Sequence, residues 1–283
     1  MKVYPFKIQK ETQQSLLVQH DTGDRFYDRL HQHPEMQLSL IVKGQGTYII
    51  GDAIGTFKSG MFFLIGENVP HVFRVNTDNA SKVHMHSVFF TKTSFGVHFF
   101  ELPEMISINK LLKNSSLGLK IDVNSDLEIQ FVQVQKKTSL TNLIHFLKVL
   151  EIFAQSDYVV LASVKKKSIL SEFEGKRMDA VYQFILENYT KSISLDQMAD
   201  IAAMSKPAFC RYFKQHTNKT FVSFLNALRI GEACRQLQQT KEAVQAIAYV
   251  CGYNNLTNFN RTFKSLKGVS PMQFRKQFTA SFT

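Results

Sequence analysis

Two kinds of hydrophobic pattern divide this chain. Over residues 26–100, short runs rich in Val, Ile, Phe and Tyr are interrupted by turn residues such as Gly44, Gly60 and Pro70. Short strands between frequent turns are typical of an antiparallel barrel or sandwich. From Met178 onward, apolar residues recur every three or four positions, which predicts helices. The pattern therefore predicts an α+β protein of more than one domain, with the β structure first and an all-α part last.

Helical periodicity also follows the β-rich part. A helix is predicted before Gly118, and a helical hairpin is predicted over residues 126–160, with a break near Thr138-Ser139. The hairpin has more apolar positions than it could bury alone, so it either packs under the barrel or forms a dimer interface. Residues 161–176 are polar and charged, which is typical of a linker. We therefore expect domains at 1–160 and 177–283, joined by a linker at 161–176.

Charge is unevenly distributed between these two domains. The chain has 283 residues and a formal net charge of +11, and most of the excess lies in residues 177–283, whereas residues 1–160 are nearly neutral. A clustered positive excess suits a polyanion such as DNA, because neutralised phosphates release counterions. The three cysteines form no C-x-x-C pair, no apolar run is long enough to span a membrane, and the N-terminal residues lack a secretion signal. These features predict a cytoplasmic protein.

The basic part contains an internal repeat. Residues 194–217 and 243–268 each predict a short helix, a turn and a second helix, and R-Y-F-K at 211–214 matches R-T-F-K at 261–264. The second helices are expected to bury Phe209 and Phe213 in one copy and Phe259, Phe263 and Leu266 in the other. A continuous helix at 221–239 would separate the copies by about 27 Å, near the ~34 Å between successive major grooves.

Capping residues mark the ends of these helices. Ser194 and Gln197 form a capping box, Thr240 and Ser270 are expected to begin helices, and Gly268 is expected to end one. A helical bundle with a solvated basic face is the alternative explanation for a single amphipathic basic helix. Two copies with arginine and amide side chains on the second helix favour two helix-turn-helix units that read DNA.

Residues 177–280 resemble the DNA-binding domain of the AraC family of bacterial transcription regulators. The similarity runs through SLDQMADIAAMSKPAFCRYFKQHT and IAYVCGYNNLTNFNRTFKSLKGVSPMQFRK. It implies that the two second helices enter successive major grooves and that RNA polymerase is a partner. Two of the positions that this resemblance places against the bases hold Pro207 and Cys210, whose side chains are poor hydrogen-bonding groups. The candidate DNA-binding residues are Lys206, Pro207, Cys210, Arg211, Lys214, Asn255, Leu256, Thr257, Asn258, Arg261 and Lys264.

The predicted barrel contains a second group of candidate binding residues. His31 and His33 alternate as on one strand, and His71 follows Pro70, so the pattern resembles that of the cupins, with Gln37 where cupins have a ligating glutamate. The residues expected to bind an effector are His31, His33, Gln37, His71 and His86. Three uses stay open: a pocket for a polar organic effector, a metal site completed by His84 or His86, or structural hydrogen bonds only.

Together these features predict a transcription regulator with a cupin-like sensor barrel, controlled by a small-molecule effector such as a sugar. We expect double-stranded DNA, the effector and RNA polymerase as partners, a homodimer, and no membrane association, cofactor, resident metal or catalytic residue. One alternative is a metal-dependent cupin enzyme fused to a DNA-binding domain. Another is a constitutive DNA-binding protein whose barrel only dimerises.

Overall fold

The computed structural model describes residues 14–75, 82–135, 139–163 and 171–279. Contacts divide the chain into two compact units near Gly175 and Lys176. Residues 164–170 of the expected linker lie outside the described residues, and the first helix of the second unit already begins at Glu172. No helix among the described residues is long and apolar enough to cross a membrane.

The first unit contains two antiparallel sheets. The larger sheet has six strands in the order β1-β7-β2-β5-β8-β9, and the smaller has three in the order β4-β3-β6. The strands are β1 Leu17–Gly23, β2 Met36–Lys43, β3 Gly46–Ile50, β4 Ala53–Phe57, β5 Phe62–Ile65, β6 His71–Val75, β7 Val83–Phe90, β8 Leu119–Ile121 and β9 Val159–Val160. The expected antiparallel β domain is confirmed.

The larger sheet is buried on both faces. Leu38 and Leu40 of β2 and Val88 of β7 point into a core shared with the helices. Ile41 of β2 and Met85 of β7 point to the other face, into a core shared with the smaller sheet. Because successive strand residues point to opposite faces, the register of each strand decides which of these two environments a side chain enters.

Three helices cover the outer face of the larger sheet: α1 Ile106–Asn114, α2 Ser125–Phe131 and α3 Leu140–Gln155. Asn124 and Ser139 cap α2 and α3 by accepting hydrogen bonds from backbone N–H groups. The predicted hairpin at 126–160 was wrong at its end, because residues 159 and 160 form β9 and pair with β8. Extended backbone beside the exposed edge of β8 gains inter-strand hydrogen bonds that a longer helix could not make.

The second unit is entirely helical. Its helices are α4 Glu172–Asn188, α5 Leu195–Ile201, α6 Lys206–Thr217, α7 Phe221–Gln239, α8 Val244–Val250, α9 Leu256–Lys267 and α10 Pro271–Thr279. The Ser194–Gln197 capping box begins α5, and Gly268 ends α9 in the left-handed conformation. The prediction for Thr240 was wrong: it ends α7, and its hydroxyl bonds to the carbonyl of Gln236 rather than capping α8.

Aromatic side chains form the core of each repeat. Phe209 and Phe213 of α6 are fully buried and contact Phe221 at the start of α7. Phe259 and Phe263 of α9 are fully buried in a second cluster. Leu266 was expected there as well, but it is 46% exposed. It lies in the last turn of α9, where the helix has passed the core that its earlier turns cover.

Candidate effector site and nucleic-acid interface

Three histidines converge at one edge of the β unit. His31 and His71 form an isolated antiparallel bridge with reciprocal backbone hydrogen bonds of 3.1 and 2.8 Å. His33 lies in the loop that leads into β2, so the predicted strand around His31 and His33 is reduced to this bridge. One ring nitrogen from each histidine lies within 4.8 Å of the others, and all three residues are buried.

A backbone carbonyl fixes each of these imidazole rings. The Nδ1 atoms of His31, His33 and His71 lie 2.8, 2.9 and 2.8 Å from the carbonyl oxygens of Arg29, Glu35 and Val69. Because a carbonyl oxygen only accepts, each Nδ1 must carry the hydrogen in these contacts. The carboxylate of Glu35 also lies 3.7 Å from His33 Nδ1. The three rings therefore share one tautomer.

Burial keeps the three imidazoles neutral. Desolvation lowers the pKa of His31 to about 4 and lowers the pKa of His33. The pKa of His71 falls well below its usual value, because of burial first and then because a charged ring would face His31 and His33. Neutral imidazole offers an unshared electron pair on its second nitrogen, so the cluster presents acceptors or ligands rather than positive charge.

Gln37 joins the histidines to a chain of hydroxyl groups. Its Oε1 lies 3.2 Å from His33 Nε2 and 3.0 Å from His71 Nε2. Its Nε2 donates to Ser39 Oγ at 2.8 Å, and Ser39 Oγ lies 2.8 Å from Ser87 Oγ. Sequence reasoning missed both serines. Ser39 lies two residues from Gln37 on β2 and so on its face, whereas Ser87 could be placed only from the register of β2 with β7.

His86 does not belong to this group, although the sequence suggested that it would. It pairs with Leu40, whose side chain faces the helices, whereas Ser87 pairs with Ser39 on the face of Gln37. His86 stacks on His20 at 4.1 Å and lies 4.7 Å from the ring of Phe131 in α2. His84 shares that outer face, because it lies two residues away. The structure therefore brings together His31, His33, Gln37 and His71 and separates His86 from them.

The candidate DNA-binding residues of the first repeat are exposed on α6. Lys206, Pro207, Cys210, Arg211 and Lys214 are all exposed, while Phe209 and Phe213 face the core. The Nζ atom of Lys206 forms a 2.8 Å ion pair with Asp196 of α5. Half of that lysine remains exposed, so the pair is a weak surface interaction that a phosphate could replace.

The second repeat presents a similar surface on α9. Thr257, Asn258, Arg261 and Lys264 are exposed, and the guanidinium of Arg261 donates to Asn258 Oδ1 at 3.1 Å. Two other candidates already have local roles. The Asn255 side chain caps α9 by accepting from the backbone N–H of Asn258 at 3.0 Å, and Leu256 packs partly against the core cluster of this repeat.

The turns between the two helices of each repeat share a backbone contact. In the first repeat the N–H of Met204 donates to Ala199 O at 2.9 Å, and in the second Tyr253 donates to Ala248 O at 3.0 Å. The preceding residue has positive φ in both copies, 49° at Ala203 and 87° at Gly252. The second turn is one residue longer, since its matching contact lies 49 positions further on while α9 starts 50 positions after α6.

Comparison with known proteins agrees with both units. An AraC-like ligand-binding domain matches residues 12–88, and a helix-turn-helix domain matches residues 198–277. The chain belongs to the AraC family. As an AraC-family protein it is an effector-controlled, DNA-binding transcription regulator, as the sequence predicted.

Relatives of this AraC-family chain match along most of its length. The HTH-type transcriptional activator RhaS of Pectobacterium carotovorum is 23% identical over 255 residues, which cover 87% of each protein. The probable transcriptional regulator LumQ of Photobacterium leiognathi is 20% identical, over 87% of this chain and 91% of its own. Among solved structures, ToxT from Vibrio cholerae is 13% identical, covers 93% of this chain and 98% of its own, and has a TM-score of 0.36.

Proposed function

We propose that α6 and α9 are the two DNA-recognition helices and that they read base edges in successive major grooves. The observation that carries this proposal is the repeated exposed face: each helix buries two phenylalanines and exposes arginine and lysine, and neither contains an acidic residue. Helix α7, with 19 residues and a length of about 28 Å, separates the repeats by a distance that suits one turn of B-DNA.

The exposed residues divide by chemistry into two roles. Arg211 and Arg261 have the planar fork that contacts guanine O6 and N7, and Asn258 can contact adenine. Lys214 and Lys264 lie one turn further along their helices and contact phosphates. Pro207 and Cys210 provide shape rather than hydrogen bonds, and Leu256 supports the core, so the first repeat relies mainly on Arg211 for base recognition.

In this proposal an effector that binds the barrel controls DNA binding. We assign the effector site to His31, His33, Gln37 and His71, because these buried polar side chains converge within the barrel. A ligand acts by shifting the population of arrangements of the two units, and it does so only if it binds those arrangements with different affinities. That the ligand is a sugar stays a prediction.

We further propose that the protein works as a homodimer through the helices of the first unit. Four apolar side chains in or next to α2 and α3 are 46–73% exposed: Ile129, Val132, Leu140 and Ile144. Such a patch costs free energy in water, and a second copy with the same patch would cover it. RNA polymerase is the further proposed partner, since the RhaS relatives are named activators. We propose regulation rather than catalysis as the role of the whole chain.

Fluorescence anisotropy with a selected DNA site and with random DNA tests the recognition roles. Arg261→Ala should weaken specific binding by about 1–3 kcal/mol and relax the preference at one base position. Lys264→Ala should weaken binding to both DNAs and reduce the salt slope by about one. Lys241→Ala, an exposed lysine outside both recognition helices, is the control and should change neither. Equal losses on both DNAs for Arg261→Ala and Lys264→Ala would refute the assignment.

A further inference from the structure

Side chains form a hydrogen-bonded series along the exposed face of α9. Asn255 Oδ1 accepts the backbone N–H of Asn258 at 3.0 Å, and Asn258 Oδ1 accepts an Nη2 hydrogen of Arg261 at 3.1 Å. Both donors are N–H groups, so only the oxygen of each amide can accept them, which fixes the orientation of both amides. Residues three positions apart are neighbours on a helix surface. Each member of the series therefore orients the next, from the N-cap of α9 to Arg261.

The first repeat lacks this series. When the arginines of the two recognition helices are aligned, Ser205 and Ala208 take the places of Asn255 and Asn258. Ser205 begins α6 without a side-chain cap hydrogen bond, and Ala208 has no polar side-chain group. Among the described residues, no hydrogen bond or ion pair holds the guanidinium of Arg211. The two helices thus present an arginine at the same position, but only α9 orients it before DNA binds.

An oriented arginine loses less freedom when it binds a base. A free arginine side chain has many rotamers, and fixing them opposes association. Contact with guanine O6 and N7 requires the guanidinium fork in one plane and one direction. The bond to Asn258 occupies one N–H group and leaves the others available. Because an exposed bond of this spacing is weak, it favours one orientation without locking it, and the expected effect on binding is several-fold.

We propose that Asn258 positions Arg261 for contact with guanine, and that the second repeat therefore discriminates between bases more strongly than the first. Asn258 is then a positioning residue, and Asn255 supports it by fixing the first turn of α9. This inference rests on the proposed function, since it takes Arg261 as a base-reading residue. It predicts that the DNA site has one strict half and one tolerant half, and that α9 contacts the strict half.

The test measures fluorescence anisotropy of the full-length protein on a selected DNA site and on its single-base variants. Arg261→Ala identifies the base position that this arginine reads. Asn258→Ala should weaken binding to the selected site about 3- to 10-fold and relax the preference at that same position. Alanine favours the helix more than asparagine does, so thermal unfolding should show no loss of stability. In the Arg261→Ala background, Asn258→Ala should have no further effect on base preference, because the positioned group is absent.

Three further variants separate positioning from other roles of the asparagine. Asn258→Asp keeps the acceptor for Arg261 but adds a negative charge, so it should weaken binding to all DNAs while the preference at the arginine position stays. Ala208→Asn places an acceptor beside Arg211 and should sharpen the preference at the position that Arg211 reads about 2- to 5-fold. Gln238→Ala removes an exposed amide from α7 and is the control, which should bind as the unmodified chain does.

The base position that Asn258→Ala relaxes decides between positioning and direct contact. Relaxed preference at a different position from that of Arg261→Ala would show a direct base contact and overturn the inference. Additive losses in the double variant, or no gain in Ala208→Asn, would also overturn it. If Arg261→Ala itself relaxes no position, the proposed function fails. If Arg261→Ala relaxes one position and Asn258→Ala relaxes none, this inference alone fails and the recognition roles of α6 and α9 stand.

Discussion

The side chain of Arg229 in α7 donates its Nε–H to the backbone carbonyl of Tyr189, just after α4, at 2.7 Å. The same guanidinium donates to the carbonyl of Lys191 at 2.7 Å and lies over the ring of Tyr253, 5.6 Å from its centre. One side chain thus connects the segment that precedes the first repeat with the turn of the second. We therefore expect this side chain, together with α7, to help hold α6 and α9 in one relative orientation.

Replacing this arginine should loosen the helical unit. Arg229→Met keeps the stem but leaves two carbonyls without their charged donor, which should cost about 2 kcal/mol of unfolding free energy. Arg229→Lys should restore less than half of the loss, because a single ammonium cannot copy the fork geometry. Calorimetric unfolding measures both variants. Full recovery by lysine would show that charge alone matters and that the orientation of the fork does not.

Gly252, next to Tyr253, gives a second prediction for the same group of contacts. It has φ of +87°, and a Cβ atom there would lie 2.8 Å from the carbonyl oxygens of both Tyr189 and Thr190. Gly252→Ala should therefore cost more than the ~1 kcal/mol of left-handed strain alone, by at least a further 1–2 kcal/mol. Gly268→Ala is the matched control, since it has φ of +77° and open space around the added atom. Equal losses in the two variants would contradict the close contact.

The sequence predicted features that depend on local spacing and missed those that depend on register. The Ser194–Gln197 capping box needs only two residues three positions apart, and it is present as predicted. The alternation in Val83-His84-Met85-His86 places His84 and His86 on one face of β7, but because β7 is buried on both sides it does not tell which face meets the helices. Only its pairing with Leu40 reveals that it faces the helices.

The location of His86 predicts how stability depends on pH. Burial first, and then the neighbouring His20 and His84, lower its pKa to about 4, whereas the unfolded chain keeps the ordinary value near 6.5. The unfolded state therefore binds more protons between pH 6.5 and 4, and stability falls as the pH falls through that range. The unmodified protein should lose on the order of 2 kcal/mol of unfolding free energy through this group as the pH falls, and His86→Leu should remove that loss. Denaturant unfolding of both proteins at pH 7 and 4.5 measures it, and parallel losses would contradict the assignment.

If the exposed apolar surface of α2 and α3 forms the dimer interface, a single charge placed on it should separate the two chains. Ile144 in α3 is 56% exposed, so Ile144→Glu should leave the fold of one chain intact while placing a charge in the proposed interface. Sedimentation should show a dimer for the unmodified protein and a monomer for this variant. Val97→Glu, at a site that is 68% exposed and outside α2 and α3, should remain dimeric. A dimer that survives Ile144→Glu would place the interface elsewhere.

Footprinting on a DNA site selected from a random library tests the central claim most directly. With the full-length protein, hydroxyl-radical cleavage should show two protected patches about one helical turn apart on one face of the duplex. Arg211→Ala and Arg261→Ala should each relax base preference at one position, in a different patch for each variant, while both patches stay protected. A single patch, or loss of preference in the same patch for both variants, would contradict recognition by α6 and α9 in successive major grooves.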